Sequence, residues 1–469
     1  MRSAEVDVID STPSHRRFLL IGLLSVYAVA AVFGIRHQLK EPSWDPVLEP
    51  FVAFVEAERG LSFSDPVHLR WADIAAELTD EFERDRESAS DEEEADPFVA
   101  AYELLGLIEV DQANSVSESA EDTATSQAGA FYDPRLETIV LPLGEDLDAL
   151  GFTIVHELTH ALQHQNGMLD WHLESADSAS TRTTLIEGDA ERVAGAWFDQ
   201  LDPVERERFL TAAGRDVELS QFDDPGNTFF ETSFNASYAL GLPAVQAIIE
   251  AGGQKEIDRL LRSKSAGTSE RLLDVLTDTP ASSLDANEVI RLPENATSSD
   301  GDIGAVIWFQ ALAPQVGSGD ALDALVGYDD DAFVIFENPD GRCGRFVLTF
   351  DSADDASEFS QIVGMVRSFV EPERISSDDL MVELTLCDPI GRPIDQRFGT
   401  IMPLVVANEM ALTHLRAGVS VEGARCASLA QAATVPATDP LSSFVGWDEI
   451  DRESPAFLGR CGSAVFSPS

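Results

Sequence analysis

Residues 147–165 constrain the fold of this chain most, because they combine an apolar helical repeat with two histidines four positions apart. Residues four apart in an α-helix share one face, so His156 and His160 point to the same side. The opposite face carries apolar side chains that a core can bury: Ile154, Val155, Leu158, Ala161 and Leu162. The pattern therefore predicts an amphipathic helix that ends at Asn166-Gly167 and presents two imidazoles to a cleft.

The two histidines belong to the sequence His156-Glu157-Leu158-Thr159-His160, which is an HExxH pattern. Two imidazoles at this spacing can hold one zinc ion between them. Glu157 lies about 100° round the helix from His156, where its carboxylate can take a proton from a water molecule on the metal. The pattern predicts a hydrolytic zinc site with His156 and His160 as ligands and Glu157 as general base.

A third ligand is expected, because catalytic zinc usually takes three protein side chains and leaves one position for water. A metzincin carries a further histidine six residues after the second one, but that position holds Asn166. Glu187 is the preferred candidate, since it lies on a predicted second helix and completes a His2Glu set. Asp189 or Glu191 can accept the remaining N–H of a ligating imidazole, with a solvated surface carboxylate as the alternative for each. His164 would crowd the two ligands, so we do not expect it to bind the metal.

Residues 18–35 form an apolar stretch without a charge, preceded by Arg16-Arg17. At 1.5 Å per residue, a helix of this length nearly spans a hydrocarbon core of about 30 Å. A cleaved signal peptide is the alternative, although the stretch exceeds the usual apolar region of about 7 to 15 residues. We predict a cytoplasmic tail at 1–17 and a single-pass signal anchor in the cell membrane at 18–35. The catalytic part is then extracytoplasmic.

Acidic residues outnumber basic ones by 84 to 31, which gives a formal net charge of -53. Such a surface repels the phosphates of nucleic acids and the headgroups of anionic lipids. We therefore exclude nucleic acid as a partner. The charge is interpreted as an adaptation of solubility to salty surroundings, with a functional acidic patch as the alternative.

Four cysteines, Cys343, Cys387, Cys426 and Cys461, lie in the last third of the chain. None has the close C-x-x-C spacing of a zinc or redox site. They suit one or two disulfides in an oxidising compartment, and buried free thiols are the alternative.

The chain is longer than one hydrophobic core usually serves, so two folded domains are expected. A segment rich in Pro, Ser, Asn and Asp at 278–302 marks the boundary between them. The fold class is α+β, with a mainly helical domain at 42–277 and a smaller α+β domain at 303–469. Periodicity and composition predict a strand at 138–143, helices across 181–276, strands at 333–336 and 345–350, a helix at 353–369, and polar loops at 88–96 and 111–128.

Further segments accompany the HExxH pattern. They are RGLSFSDPV (59–67), GAFYDP (129–134), HELTHALQHQ (156–165), EGDA (187–190), SYALGLPAVQAIIEAGG (237–253), GYDDDAFVIF (327–336) and DDASEF (354–359). Over residues 52–369 the chain resembles a family of largely uncharacterised bacterial HExxH proteins, common in actinobacteria and regarded as gluzincin-type zinc metallopeptidases. The resemblance implies a zincin-like fold in which His156, His160 and Glu187 bind zinc and Glu157 activates water.

Tyr238 lies in the segment that resembles the family's Tyr-x-x-Gly-Leu sequence. A phenol there can hydrogen-bond the oxyanion of a tetrahedral intermediate, and a tyrosine of the core is the alternative. Two positions depart from the family pattern: Asp274-Val275 stands where a His-Pro is expected, and Gln163-His164 replaces the usual Gln-Asp. If the missing histidine serves substrate binding, its loss affects specificity or activity.

Together these features predict a membrane-anchored zinc metallopeptidase that hydrolyses peptide or protein substrates. One alternative is a catalytically inactive, membrane-anchored zinc-binding or scaffold protein, against which the retained Glu157 argues. The other is a non-peptidase zinc hydrolase, which would keep the same ligands and differ in the shape of its cleft.

Overall fold

The computed structural model describes residues 43–88, 96–108, 121, 123, 125, 129–145, 147–169, 175–212, 229–263, 267–277, 285–294, 299–338, 341–366, 375–387 and 398–436. The predicted tail at 1–17 and membrane segment at 18–35 lie outside these residues, as do most of the two predicted polar loops. Within the described ranges, no helix is both long and apolar enough to cross a membrane.

The architecture is α+β and mostly helical, which confirms the predicted class. The helices are α1 (Glu49–Arg59), α2 (Ile74–Ser88), α3 (Pro97–Leu104), α4 (Leu147–Gln165), α5 (Ala176–Gln200), α6 (Pro203–Ala212), α7 (Phe229–Gly252), α8 (Gln254–Arg262), α9 (Glu270–Leu273), α10 (Ala286–Val289), α11 (Ala305–Val316), α12 (Ser318–Ala324), α13 (Ala353–Met365), α14 (Met402–Arg416) and α15 (Val421–Ala432). The strands are β1 (His68–Ala72), β2 (Phe131–Asp133), β3 (Thr138–Pro142), β4 (Tyr328–Asn338), β5 (Gly341–Phe350), β6 (Ile375–Asp378) and β7 (Met381–Cys387).

A three-stranded sheet in the order β1-β3-β2 lies beside the histidine-bearing helix. The central strand β3 runs parallel to β1 and antiparallel to β2, with Tyr132 opposite Ile139. Residues 138–141 are all buried, which explains why residues 139–142 of this central strand are a continuous apolar run rather than an alternating one. The strand predicted at 138–143 is confirmed, with its end one residue earlier at Pro142.

Helix α4 has the bounds that its apolar pattern predicts. The five apolar residues of its back face are at most 1% exposed and form a core with the sheet, α1 and α5. Asn166 ends the helix, and Gly167 adopts a left-handed conformation (φ 71°) that favours glycine. The local sequence thus determines both the length of α4 and the side on which its histidines lie.

Helices α5 and α7 cross with their backbones in contact. A Cβ atom at Gly188 would lie 2.1 Å from the carbonyl carbon of Gly241, and one at Gly241 would lie 2.3 Å from the carbonyl oxygen of Thr184. Only residues without side chains allow this approach. The crossing brings the middle of α7 next to the residues of α5 that face α4.

The second sheet is antiparallel, in the order β4-β5-β7-β6. Cys343 on β5 pairs directly with Cys387 on β7, and the two form a disulfide. Cys426 is also disulfide-bonded, while Cys461 lies outside the described residues. The expectation of disulfides rather than free thiols is met for these three cysteines. The strands predicted at 333–336 and 345–350 lie within the longer strands β4 and β5. The helix predicted at 353–369 is α13, which ends at Met365.

The largest hydrophobic core joins residues from both sides of the boundary predicted at 278–302. It contains Leu185 and Leu240 from the helical half together with Phe346 and Leu404 from the C-terminal half. Helices α7 and α14 pack directly against each other. The two halves therefore share one core, although each carries its own sheet.

Candidate metal centre

The two histidines of α4 converge on one point. The Nε2 atoms of His156 and His160 lie 2.9 Å apart, and their rings meet edge to face with centroids 4.6 Å apart. His156 is buried and His160 is nearly so. This is the arrangement that the four-residue spacing predicts, because the buried back face of α4 directs both rings to the other side.

Glu187 of α5 reaches the same point from a second helix. Its Oε2 atom lies 3.2 Å from Nε2 of His156 and 3.5 Å from Nε2 of His160. One nitrogen from each histidine and one carboxylate oxygen therefore lie within 4.8 Å of one another, close enough to share a metal ion. The three residues that the sequence analysis selected as ligands are brought together.

The electrostatics of this cluster favour a cation. Burial alone would lower the pKa of His156, but hydrogen bonds to Glu187 and Glu191 outweigh it and raise that pKa well above its ordinary value. Burial raises the pKa of Glu187, but the charges and hydrogen bonds of His160 and His156 lower it well below the usual range. The carboxylates thus hold positive charge in the cluster, and a metal cation at the three ligand atoms would supply it.

Glu157 lies next to the ligands and is 5% exposed. Its carboxylate accepts a hydrogen bond from the backbone N–H of Tyr132 on strand β2. Burial raises its pKa, while the charges of His156 and His160 oppose that rise. The edge strand of the first sheet therefore orients the predicted general base.

The second ring nitrogens of the two histidines also have partners. Nδ1 of His156 lies 3.4 Å from Oε1 of Glu191, as the sequence analysis had allowed. Nδ1 of His160 lies 3.0 Å from Oε1 of Gln163. Such partners fix the tautomer and orientation of an imidazole that binds a metal.

Gln163 contacts a candidate ligand, a position that was not predicted from the sequence. Its side-chain amide donates to Oδ2 of Asp189 at 2.9 Å, and its side chain is fully buried. Asp189 therefore acts on His160 through Gln163 rather than directly. The signal was present, because Gln163 follows His160 by three residues and so lies on the same helical face.

Arg59 of α1 completes this buried network and was also missed as a site residue. Its Nε atom lies 2.8 Å from Oδ2 of Asp189, and both side chains are 0% exposed. A second contact, at 2.9 Å, joins its guanidinium to Asp258 on α8. One arginine thus ties α1, α5 and α8 together behind the ligands. No local pattern marks a buried arginine so far from its partner in the chain.

Tyr238 of α7 lies beside the ligands. Its ring centroid is 6.4 Å from that of His156 and 5.7 Å from that of Phe234. Burial raises the pKa of the Tyr238 hydroxyl, and so do the charge of Glu187 and a hydrogen bond to Glu187. The phenol therefore stays protonated and can donate a hydrogen bond. The Gly188–Gly241 contact between α5 and α7 allows this approach.

Two other positions singled out from the sequence lie elsewhere. Nδ1 of His164 is 2.9 Å from the hydroxyl of Tyr132, so this histidine is engaged with strand β2 rather than with the three ligands. Asp274, where the resemblance led us to expect a histidine, forms an ion pair with Arg425 of α15. That position links α9 to the C-terminal half of the shared core.

Two imidazoles and one carboxylate are a donor set that suits catalytic zinc, which takes three protein ligands of these types. The chain's residues therefore fit the metal that the sequence pattern indicates. Comparisons with family models, with curated proteins and with solved structures find no match to this chain.

Proposed function

We propose that this chain is a zinc-dependent metallopeptidase of the gluzincin type with a zincin-like catalytic fold. The observation that carries the proposal is the convergence of His156, His160 and Glu187 at one point, with the Glu157 carboxylate beside them. The family resemblance of residues 52–369 supports the same activity.

A zinc ion at this position would polarise a substrate carbonyl and lower the pKa of a bound water to about 7. Glu157 then accepts the proton of the attacking water and returns it to the amine of the leaving group. The hydrogen bond from the Tyr132 amide holds the Glu157 carboxylate in place. The Tyr238 hydroxyl would donate a hydrogen bond to the oxygen on which negative charge develops.

The residues behind the proposed ligands hold the two imidazole rings in their orientation. Gln163 and Glu191 meet the outer nitrogens of His160 and His156, so each ring presents its Nε2 atom to the metal. Arg59 neutralises Asp189, the partner of Gln163, within the protein interior. The ligands are thereby positioned before any substrate arrives.

The proposed location is the outer face of the cell membrane, to which residues 18–35 would tether the chain. This follows from the apolar stretch and agrees with the disulfide between Cys343 and Cys387, since such bonds persist in oxidising compartments. Protease added to intact cells should remove the catalytic part of the chain. Protection until the membrane is opened would contradict this location.

The activity is tested with the full-length protein purified in detergent. Zinc content is measured alongside cleavage of a denatured protein mixture for the natural chain, Glu157→Gln, His160→Ala and the control Glu145→Gln, which changes an exposed glutamate. We expect one zinc per chain in all but His160→Ala. Cleavage should be lost in Glu157→Gln and retained in Glu145→Gln.

Each other outcome has a defined meaning. Bound zinc without cleavage of any peptide, together with hydrolysis of small esters or amides, would show a non-peptidase hydrolase. Bound zinc with no hydrolysis at all would show a binding or scaffold protein. Absence of zinc from the natural chain would overturn the assignment of the site.

A further inference from the structure

A cavity of about 230 Å³ opens between the N-terminal halves of α5 and α7. Five aromatic residues contribute to its walls: Phe98, Tyr102, Phe229, Phe230 and Phe234. We call this cavity the aromatic pocket. Pockets for whole small-molecule ligands usually span about 300 to 1,000 Å³. The aromatic pocket is smaller, so its size suits a single large side chain.

The aromatic pocket lies about one helical turn from the candidate metal centre along helix α5. Ser180 and Thr184 line the pocket, and Glu187 follows one turn later on the same helical face. Ser180 is exposed and Thr184 is buried, so the pocket runs inward from the surface towards the ligands.

Helix α7 forms a second connection between the pocket and the metal centre. Phe234 lines the pocket, and its ring centroid lies 5.7 Å from that of Tyr238. The Tyr238 ring in turn lies 6.4 Å from that of His156. If the carbonyl group of a substrate lies at the metal, the side chain of the neighbouring substrate residue can therefore reach the aromatic pocket.

The acidic residues at the pocket are engaged by the protein itself. Asp302 accepts hydrogen bonds from the backbone N–H groups of Ala176 and Asp177, at 2.9 and 3.0 Å. Asp177 accepts one from the backbone N–H of Ser269 at 2.9 Å. These bonds anchor the first turn of α5 and the start of α9. The surface left for a ligand is consequently dominated by aromatic and aliphatic groups.

We propose that the aromatic pocket binds a bulky apolar side chain of the substrate, such as phenylalanine or leucine, next to the cleaved bond. The proposal rests on the proposed function and specifies its substrate class. Burial of such a side chain releases water from apolar surface on both partners. Discrimination against alanine on the order of tenfold or more is expected from this burial.

A binding experiment that needs no turnover tests the pocket directly. Phenylalanine hydroxamate and alanine hydroxamate both chelate zinc and differ only in the side chain beside it. Their affinities are measured by calorimetry for the zinc-loaded full-length protein, for Ser180→Phe and for Gln200→Phe. Ser180→Phe narrows the pocket, whereas Gln200→Phe adds the same ring at an exposed position at the far end of α5.

We expect phenylalanine hydroxamate to bind about tenfold or more tightly than alanine hydroxamate. That ratio should fall close to one in Ser180→Phe and stay unchanged in Gln200→Phe. Phe230→Ala, which removes one wall, should also lower the ratio and serves if Ser180→Phe does not fold. An equal affinity of the two compounds for the natural chain would overturn the proposal. Tighter binding of lysine hydroxamate than of phenylalanine hydroxamate would also overturn the proposal. It would show that the carboxylates of the pocket, rather than its apolar walls, determine which side chain binds.

Cleavage sites in a denatured protein mixture give a second readout. Bulky apolar residues should be enriched at one position beside the cleaved bond, and Ser180→Phe should shift that preference to small residues. If the natural chain cleaves nothing, the peptidase assignment fails, while the hydroxamate affinities still decide the pocket. If it cleaves without such a preference, the pocket fails and the peptidase assignment stands.

Discussion

Arg59 and Asp189 form an ion pair of 2.8 Å in which both side chains are completely buried. Arg59 lies on α1 and Asp189 on α5. Asp189 also accepts a hydrogen bond from the side-chain amide of Gln163, which in turn contacts His160. A buried charge is tolerated only where it is paired, so removal of one partner leaves the other in an apolar interior. The stability of this pair and the orientation of the His160 ring, a candidate metal ligand, are therefore linked.

Arg59→Met is expected to lower the free energy of unfolding by about 3 to 5 kcal/mol, the usual cost of breaking a buried pair. Arg70→Met is the control, because Arg70 pairs with Glu77 at 2.7 Å but is 42% exposed. Its cost should stay below about 1 kcal/mol. Urea unfolding followed by tryptophan fluorescence measures both. Equal losses of unfolding free energy in the two variants would show that the buried ion pair of Arg59 does not stabilise the fold more than an exposed one.

Gln163→Leu is expected to weaken zinc binding by about 10- to 100-fold, since His160 loses the partner that fixes its ring. The matched control is Gln165→Leu on the same helix, whose side chain bonds the backbone at Ser64 and Asp65 instead. Competition with a chelating indicator gives both affinities. The prediction fails if the two variants bind zinc equally well.

Gly241→Ala is expected to destabilise the protein by about 1 to 3 kcal/mol, because the added methyl group meets the backbone of α5. It should also reduce activity by moving Tyr238. Gly195→Ala on α5 is the control, since nothing lies within 4 Å of its added Cβ atom. That change should stabilise the helix by about 0.5 to 1 kcal/mol. Thermal unfolding of both variants tests whether their changes in stability have opposite signs. If Gly241→Ala stabilised the protein, the close contact between α5 and α7 would be contradicted.

Glu270 makes the stability of the fold depend on pH. Burial and the charges of Asp274 and Asp351 raise the pKa of this carboxyl from its ordinary value of 4.5 to about 8. The folded state therefore holds a proton that the unfolded chain releases above pH 4.5. This contribution to stability is complete below that pH and is lost as pH rises through about 8.

Glu270→Gln should remove this dependence, because glutamine is uncharged at every pH. Between pH 5 and pH 8 the natural chain should lose up to about 1.4 kcal/mol of unfolding free energy per pH unit more than the variant loses. Urea unfolding at a series of pH values measures the two curves. Parallel curves would show that Glu270 is ionised in the folded state.

Local features of the molecule were the ones that the sequence predicted best. Helix α4 has the predicted bounds because its apolar repeat, its histidines and its Asn-Gly stop lie within one short segment. Strand β3 was predictable for the same reason, since its central place in a sheet makes it continuously apolar. Gln163 could have been found from its spacing to His160 alone.

Long-range features were not predictable in the same way. The disulfide of Cys343 with Cys387 is one of several pairings that four cysteines allow, and the register of β5 against β7 selects it. The segment at 278–302 had the composition of a linker, yet the core extends across it. Composition reports local chain preferences and carries no information about which apolar faces meet.

The sequence by itself determined that His156 and His160 share one helix face with Glu157 beside them, because the α-helical repeat is a local property of the chain. Glu187 could be selected from its setting, but its approach to the two histidines depends on how α5 packs against α4. Only the tertiary structure decided that Arg59 neutralises Asp189, that Tyr238 lies beside the candidate ligands and that an aromatic pocket lies about one helical turn away. Each of these relationships joins segments distant in the chain, and the packing of whole helices sets the distance between them.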